Sequence, residues 1–200
     1  MAIILVAKRA AQWPTTTTRA LISRSADQFP VVVVQGLPGS GKTSLAESLA
    51  QSLCLPLLSK DTIKQVLEKH LPQPAAGNEI GKASQQVLYA LVAYAYSGAV
   101  LDSFFHASFV SELQAIGPRL VQVYCRCPYE VARQRYEERA RRDPTRHGDR
   151  ERGEQDWQLW LKEGGRPLPL EAPLLEVDTT LPVDADGVAQ WVRDRSSREW

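Results

Sequence analysis

Hydrophobic and polar positions along the chain switch repeatedly between a strand period and a helix period. Val31–Val34 is an unbroken run of β-branched residues between Pro30 and Gly36, which is how a strand buried on both faces reads. Leu45, Leu49 and Leu53 then recur at helical spacing. Leu55 to Leu58 predicts a short second strand, and Ser59-Lys60-Asp61 opens a helix on which Ile63, Val66 and Leu67 share a face. A loop over 72–77 leads to Asn78 as a helix cap, and Ile80, Val87, Leu88, Leu91, Val92 and Ala95 predict a long helix. Gly98 to Asp102 reads as a third strand. Val121, Val123 and Cys125 alternate in a fourth, closed by Pro128 at the first turn of a helix that turns Val131, Ala132, Tyr136 and Ala140 inward. A short helix around Trp157–Leu161, a Gly/Pro-rich connection to Pro173, a strand over Leu174–Val177 and a helix over 183–193 complete the pattern, with Val188, Trp191 and Val192 inward in the last.

Strand and helix alternating this often predict an α/β domain, a parallel sheet with helices on both faces, over residues 30–200. Residues 1–29 carry a threonine run and Trp13-Pro14 without clear periodicity, and are expected to form an N-terminal extension packed on that domain.

Composition changes the picture little. Of 200 residues, 44% are hydrophobic and 24% charged, the balance of a globular domain. No apolar run approaches a membrane span, and Ile3–Ala7 is too short for a signal-peptide core, with Lys8 and Arg9 after it; a cytoplasmic protein without a membrane partner is expected. Cys54, Cys125 and Cys127 lack metal-ligand spacing and read as small buried apolar side chains rather than redox or metal groups. The net charge of +1 excludes a general nucleic-acid footprint and leaves nucleic acid only as a terminal substrate. Locally the charge is uneven. Between Arg133 and Arg152 eight arginines face five acids, which fits a solvated helix face or an anion-closing lid.

The chemistry begins where the valine strand ends. Gly36-Leu37-Pro38-Gly39-Ser40-Gly41-Lys42-Thr43 fits G-x-x-x-x-G-K-[ST] at every position, and Ser44 continues it into the helix. Such a loop points backbone N–H groups into one concavity ahead of a helix N-terminus, a polyphosphate cradle. Lys42 is expected on the terminal phosphates, and the Thr43 hydroxyl on a magnesium ion that keeps several waters. Asp61 lies just past the carboxyl end of the second strand, where open α/β sheets bind ligands. It reads either as the carboxylate that orients a nucleophile or as a helix cap. Asp102 ends the third strand and reads as magnesium support, an acceptor contact or a strand-end turn. His106 and His147 receive no role.

With the phosphate loop, Asp61 three residues before Lys64, Leu101-Asp102, and Cys127-Pro128-x-Glu130 leading into arginines, residues 31–180 resemble the small P-loop kinases of the zeta-toxin, chloramphenicol-phosphotransferase and polynucleotide 5′-kinase group, AAA-type ATP-binding proteins. The resemblance implies a five-stranded parallel sheet, a nucleoside-kinase-like fold with an arginine-rich lid, ATP with Mg2+ as donor, and transfer of the γ-phosphoryl to a hydroxyl. It places Asp61 as the proton-accepting aspartate and Lys64 near the acceptor. Arg135, Arg139 and Arg142 fall in the lid, which ends around Thr145–Gly148, and Asp178-Thr179-Thr180 borders the adenine. A nucleotide-hydrolysing switch or regulator is the competing class. No Asn-Lys-x-Asp follows the fourth strand, where Tyr124–Cys127 stands, which argues against a GTPase. The acceptor and the oligomeric state carry no sequence signal.

Overall fold

Val31 and Val33 point to one side of a sheet and Val32 and Val34 to the other, and all four are fully buried. That strand is the centre of the molecule. In the computed structural model, which describes residues 29–71, 79–95, 97–117, 119–142 and 153–196, it is β1 (Val31–Gln35). The order continues with α1 (Lys42–Leu53), β2 (Leu57–Ser59), α2 (Lys60–His70), α3 (Glu79–Tyr94), β3 (Ala99–Asp102), a 3-10 turn (Ala107–Phe109) and α4 (Val110–Gln114). It ends with β4 (Leu120–Arg126), α5 (Tyr129–Arg142), α6 (Glu154–Gly164), β5 (Leu174–Asp178) and α7 (Ala185–Ser196). The extension before Phe29, the cap at Asn78 and the lid's end at 145–148 lie outside the described residues.

The five strands are all parallel, in the order β2-β3-β1-β4-β5. Strand order reverses beside β1, so the carboxyl ends of β1 and β3 open a crevice at the switch point. α1 and α7 cover one face, with Leu45, Leu49, Val188 and Val192 packed on Val32, Val34, Val100, Val121 and Val123. The other face carries α3 and α4 through Leu88, Val92 and Leu113, with Leu168 and Leu170 of the connection into β5.

A buried amide pair ties that connection down. Gln35 Nε2 donates to Gln122 Oε1 at 2.8 Å, the Leu168 N–H donates to Gln35 Oε1 at 2.8 Å, and Gln122 Nε2 donates to the carbonyls of Leu170 and Ala172 at 3.2 Å. A buried network of this kind is stabilising because each member is satisfied.

Several side-chain expectations are corrected. Val66 is 54% exposed, and Val87 and Leu91 are 38% and 43% exposed. The second half of α3 is apolar on every side, which leaves its inward face ambiguous, and the helix turns the polar Ser84 and Gln85 inward: Ser84 Oγ donates to the Ile80 carbonyl at 2.6 Å and Ser103 Oγ to Gln85 Oε1 at 3.1 Å, while Gln85 Nε2 is buried without a partner among the described residues. Cys54 is exposed, not buried, because it ends α1 in the left-handed conformation at φ 54°. Cys125 is buried as expected, and Cys127 is half-buried.

Candidate active site

The loop between β1 and α1 curls so tightly that Leu37 accepts from the Ser40 N–H at 3.0 Å. Gly39, at φ +83°, lies directly against α5, where a Cβ would collide with the Ala132 carbonyl oxygen. The lysine of the loop folds back over it, Lys42 Nζ donating to the Leu37 carbonyl at 3.4 Å. Ser40 Oγ is buried and has no hydrogen-bond partner among the described residues.

Asp102, 3% exposed at the end of β3, faces this loop. Ser59, its register partner on β2, donates to Oδ2 at 3.4 Å, while Oδ1 is buried without a hydrogen-bond partner. Burial pushes the carboxyl above its ordinary value, with nearby Lys42 and then Thr43 acting against the shift and Asp61 adding to it. An orphaned buried carboxylate oxygen beside the Thr43 hydroxyl suits a hard cation whose remaining ligands are water and phosphate oxygens. The residues therefore fit magnesium. No cluster of three or more acidic, His or Cys side chains that could hold a metal alone occurs among the described residues.

Asp61 is the second residue of α2, exposed, with no hydrogen bond or ion pair among the described residues. The cap alternative is thereby corrected: Ser59 occupies the cap position, and neither side chain makes a cap hydrogen bond. Lys64 follows on the same helix and pairs with Glu68 at 3.5 Å. Loop, Asp102, Asp61 and Lys64 thus share one edge of the sheet.

On the other flank, a cleft of about 250 Å³ runs between Gly41, Ser44, Ser48, Thr179 and Val183. Thr179 is fixed there, its N–H and its hydroxyl both donating to the Arg126 carbonyl at 3.1 and 3.2 Å. Arg135 donates to the Thr179 and Thr180 carbonyls at 2.9 and 3.5 Å, so its guanidinium buttresses this wall. Arg139 lies 5.5 Å over the Tyr136 ring, and Arg142 is exposed at the last residue of α5.

Two features lay outside the sequence reading. Lys60 is half-buried at the first position of α2. The second is an aromatic wall beyond β3: Phe104 stands 4.9 Å from His106 and 6.3 Å from Trp160, and a Cβ on Gly164 would strike its ring. Burial lowers the His106 pKa, opposed by Glu163 at 4.0 Å. Only the apolar spacing of Phe104-Phe105 hinted at the wall.

Sheet order, phosphate loop and carboxylates at the strand ends define a P-loop kinase fold, which implies nucleotide binding. A family model described as an AAA domain (AAA_33) matches residues 31–159, and the chain belongs to that family. A crystal structure of a candidate kinase from Chloroflexus aurantiacus is similar over 84% of this chain and 98% of its own, at 29% identity and a TM-score of 0.72. Chaetomium thermophilum Kti12 in complex with ADP-AlF3 matches 83% of this chain and 96% of its own at 22% identity, TM-score 0.57. Acinetobacter baumannii shikimate kinase in complex with shikimate matches 85% and 94% at 20% identity, TM-score 0.53. The last two likenesses are of fold. No curated protein matches the sequence. Among the described residues no helix is long and apolar enough to cross a membrane.

Proposed function

We propose that the protein is an ATP- and magnesium-dependent phosphotransferase that moves the γ-phosphoryl to a hydroxyl of a small molecule, a nucleotide or a nucleic-acid end. The observation that carries this reading is the convergence of Lys42, Thr43, the orphaned Asp102 oxygen and the unpartnered Asp61 on one sheet edge. Bound magnesium supplies charge neutralisation on the β- and γ-phosphate oxygens. Lys42 leaves the Leu37 carbonyl for the terminal phosphates, and Asp102 with Thr43 orients the ion's ligand shell.

Asp61 accepts the proton of the acceptor hydroxyl. As that oxygen bonds to the γ-phosphorus, the bond to the bridging oxygen breaks and the electron pair leaves on ADP. Asp61 is exposed and has no hydrogen bond or ion pair to give up among the described residues, so it is accessible to an incoming hydroxyl. Residues 1–29 stand outside this chemistry, as an extension of the 30–200 domain.

Lys42→Ala is the first test, since Lys42 contributes a phosphate contact and no core packing. ADP release, measured with and without a panel of polyols, hydroxy acids and oligonucleotides, is expected to rise with one acceptor class in the wild type and to vanish in a folded Lys42→Ala variant. Unchanged turnover in that variant would sink the reading.

A further inference from the structure

Lys60 is placed where a cation is least comfortable. It is the first residue of α2, at the positive end of the helix dipole. Lys64 stands one turn along on the same face, a like-charge spacing that destabilises an isolated helix. Lys60 is half-buried, and it makes no hydrogen bond or ion pair among the described residues. Lys64 has Glu68 at 3.5 Å, so the two lysines are not equivalent. The neighbouring carboxylates have other roles: Asp61 serves the hydroxyl proton and Asp102 the metal shell. Burial lowers the Lys60 pKa; Asp61 opposes this, while Lys64 and Lys42 add to it.

A site for a neutral polyol needs paired donors and acceptors, not a half-buried ammonium without a hydrogen bond or ion pair. An unpaired, partly desolvated cation is relieved when an anion arrives. Lys60 is the neighbour of Asp61, the proposed proton acceptor, and its charge is felt by His106 of the loop after β3 as well as by Lys42 of the phosphate loop.

We infer that the acceptor carries an anionic group, carboxylate or phosphate, beside the hydroxyl that is phosphorylated, and that Lys60 binds it. This rests on the phosphotransferase reading above. It narrows the acceptor to hydroxy acids, sugar acids and phosphorylated alcohols, with neutral sugars and polyols excluded.

Lys60→Met keeps the apolar stem and removes the charge. Two measurements decide. In the free protein the variant is expected to melt higher than wild type by a few degrees; an equal or lower melting temperature means the charge was not uncompensated and overturns the inference. With Mg-ATP saturating, ADP release is compared for matched pairs: glycerate against glycerol, gluconate against glucose, and glycerol 3-phosphate against glycerol. The acid or phosphate member is expected to be the better acceptor, and Lys60→Met to raise its KM at least tenfold with a smaller change in kcat. Transfer to the neutral members at equal or higher kcat/KM would overturn the anionic acceptor and leave the kinase reading standing. So would a Lys60→Met variant whose loss falls on nucleotide affinity, because Lys60 would then belong to the ATP phosphates. Absence of transfer to every member, with ADP release equal in wild type and Lys42→Ala, would bring down both readings.

Discussion

Replacing Asp61 by Asn separates a proton acceptor from a merely local helix residue. Asp61 is exposed in the first turn of α2 and has no hydrogen bond or ion pair to lose among the described residues, so the structural cost is confined to its interaction with the helix dipole. That is about 0.3–1 kcal/mol, which for a domain of this size moves the melting temperature by no more than about 2–4 °C. Asn keeps the shape and the oxygen but does not take a proton near neutral pH. The transfer step is expected to slow by about 10²-fold or more, equivalent to about 2.7 kcal/mol of barrier. The assay follows γ-labelled phosphoryl into the best acceptor of the matched pairs with both substrates saturating, alongside a thermal melt and nucleotide titration. A folded Asp61→Asn variant that transfers within threefold of wild type would refute the role and leave Asp61 a local residue of α2, with the proton taken elsewhere.

Two further predictions concern the metal and the loop. The raised pKa of Asp102 means that the folded protein holds this proton at a pH where the unfolded chain has released it. The metal-free protein therefore loses stability as pH climbs from the ordinary aspartate value through the raised folded one. Asp102→Asn removes that slope, so in EDTA at neutral pH it is expected to melt above wild type while Mg-dependent nucleotide affinity drops about 10–100-fold; a lower melting temperature contradicts this. Gly39→Ala puts a methyl group into the Ala132 carbonyl at a left-handed φ, and is expected to destabilise the protein by about 1–3 kcal/mol and to weaken nucleotide binding; urea unfolding unchanged from wild type would count against the close loop–α5 contact.

The elements were legible because each carries a local signal. The valine run, the leucine spacing of α1 and the phosphate-loop motif need no tertiary information, and a P-loop kinase fold follows from them. Facing was legible only where a helix is clearly amphipathic: Val87 and Leu91 misled because the second half of α3 is apolar on every side, and the partner of the inward Gln85 is Ser103, 18 residues away. The site was half legible. Asp102 announces itself by ending a strand and Asp61 by following one closely, but the anomaly at Lys60 consists of burial and of lacking a partner, which no spacing encodes. Arg135 illustrates the reverse case. Its position suggested the lid, and the fold spends its guanidinium on the Thr179 and Thr180 carbonyls, 44 and 45 residues away.

Both walls of the candidate site hang on one aromatic seam. Trp157 of α6 is fully buried and meets Tyr129, Tyr136 and Trp160 edge-on at 5.9, 5.2 and 4.9 Å. Edge-to-face pairs contribute about 0.5–1.5 kcal/mol each beyond the area they bury, so the α5–α6 contact is held at several points. On the nucleotide side, α5 supports the phosphate loop through Gly39 and the cleft wall through Arg135. On the side of the loop after β3, α6 presses Gly164 and Trp160 on Phe104, and Glu163 accepts from the Ala107 N–H at 3.2 Å. The loop after β3 is therefore positioned by the same helix pair that positions the phosphate loop. Phosphoryl transfer needs little from a protein beyond fixed positions for donor and acceptor. Packing both loops on α5 and α6 sets that separation by helix contacts rather than by loop conformation, which is why a chain with one short motif still builds a defined site.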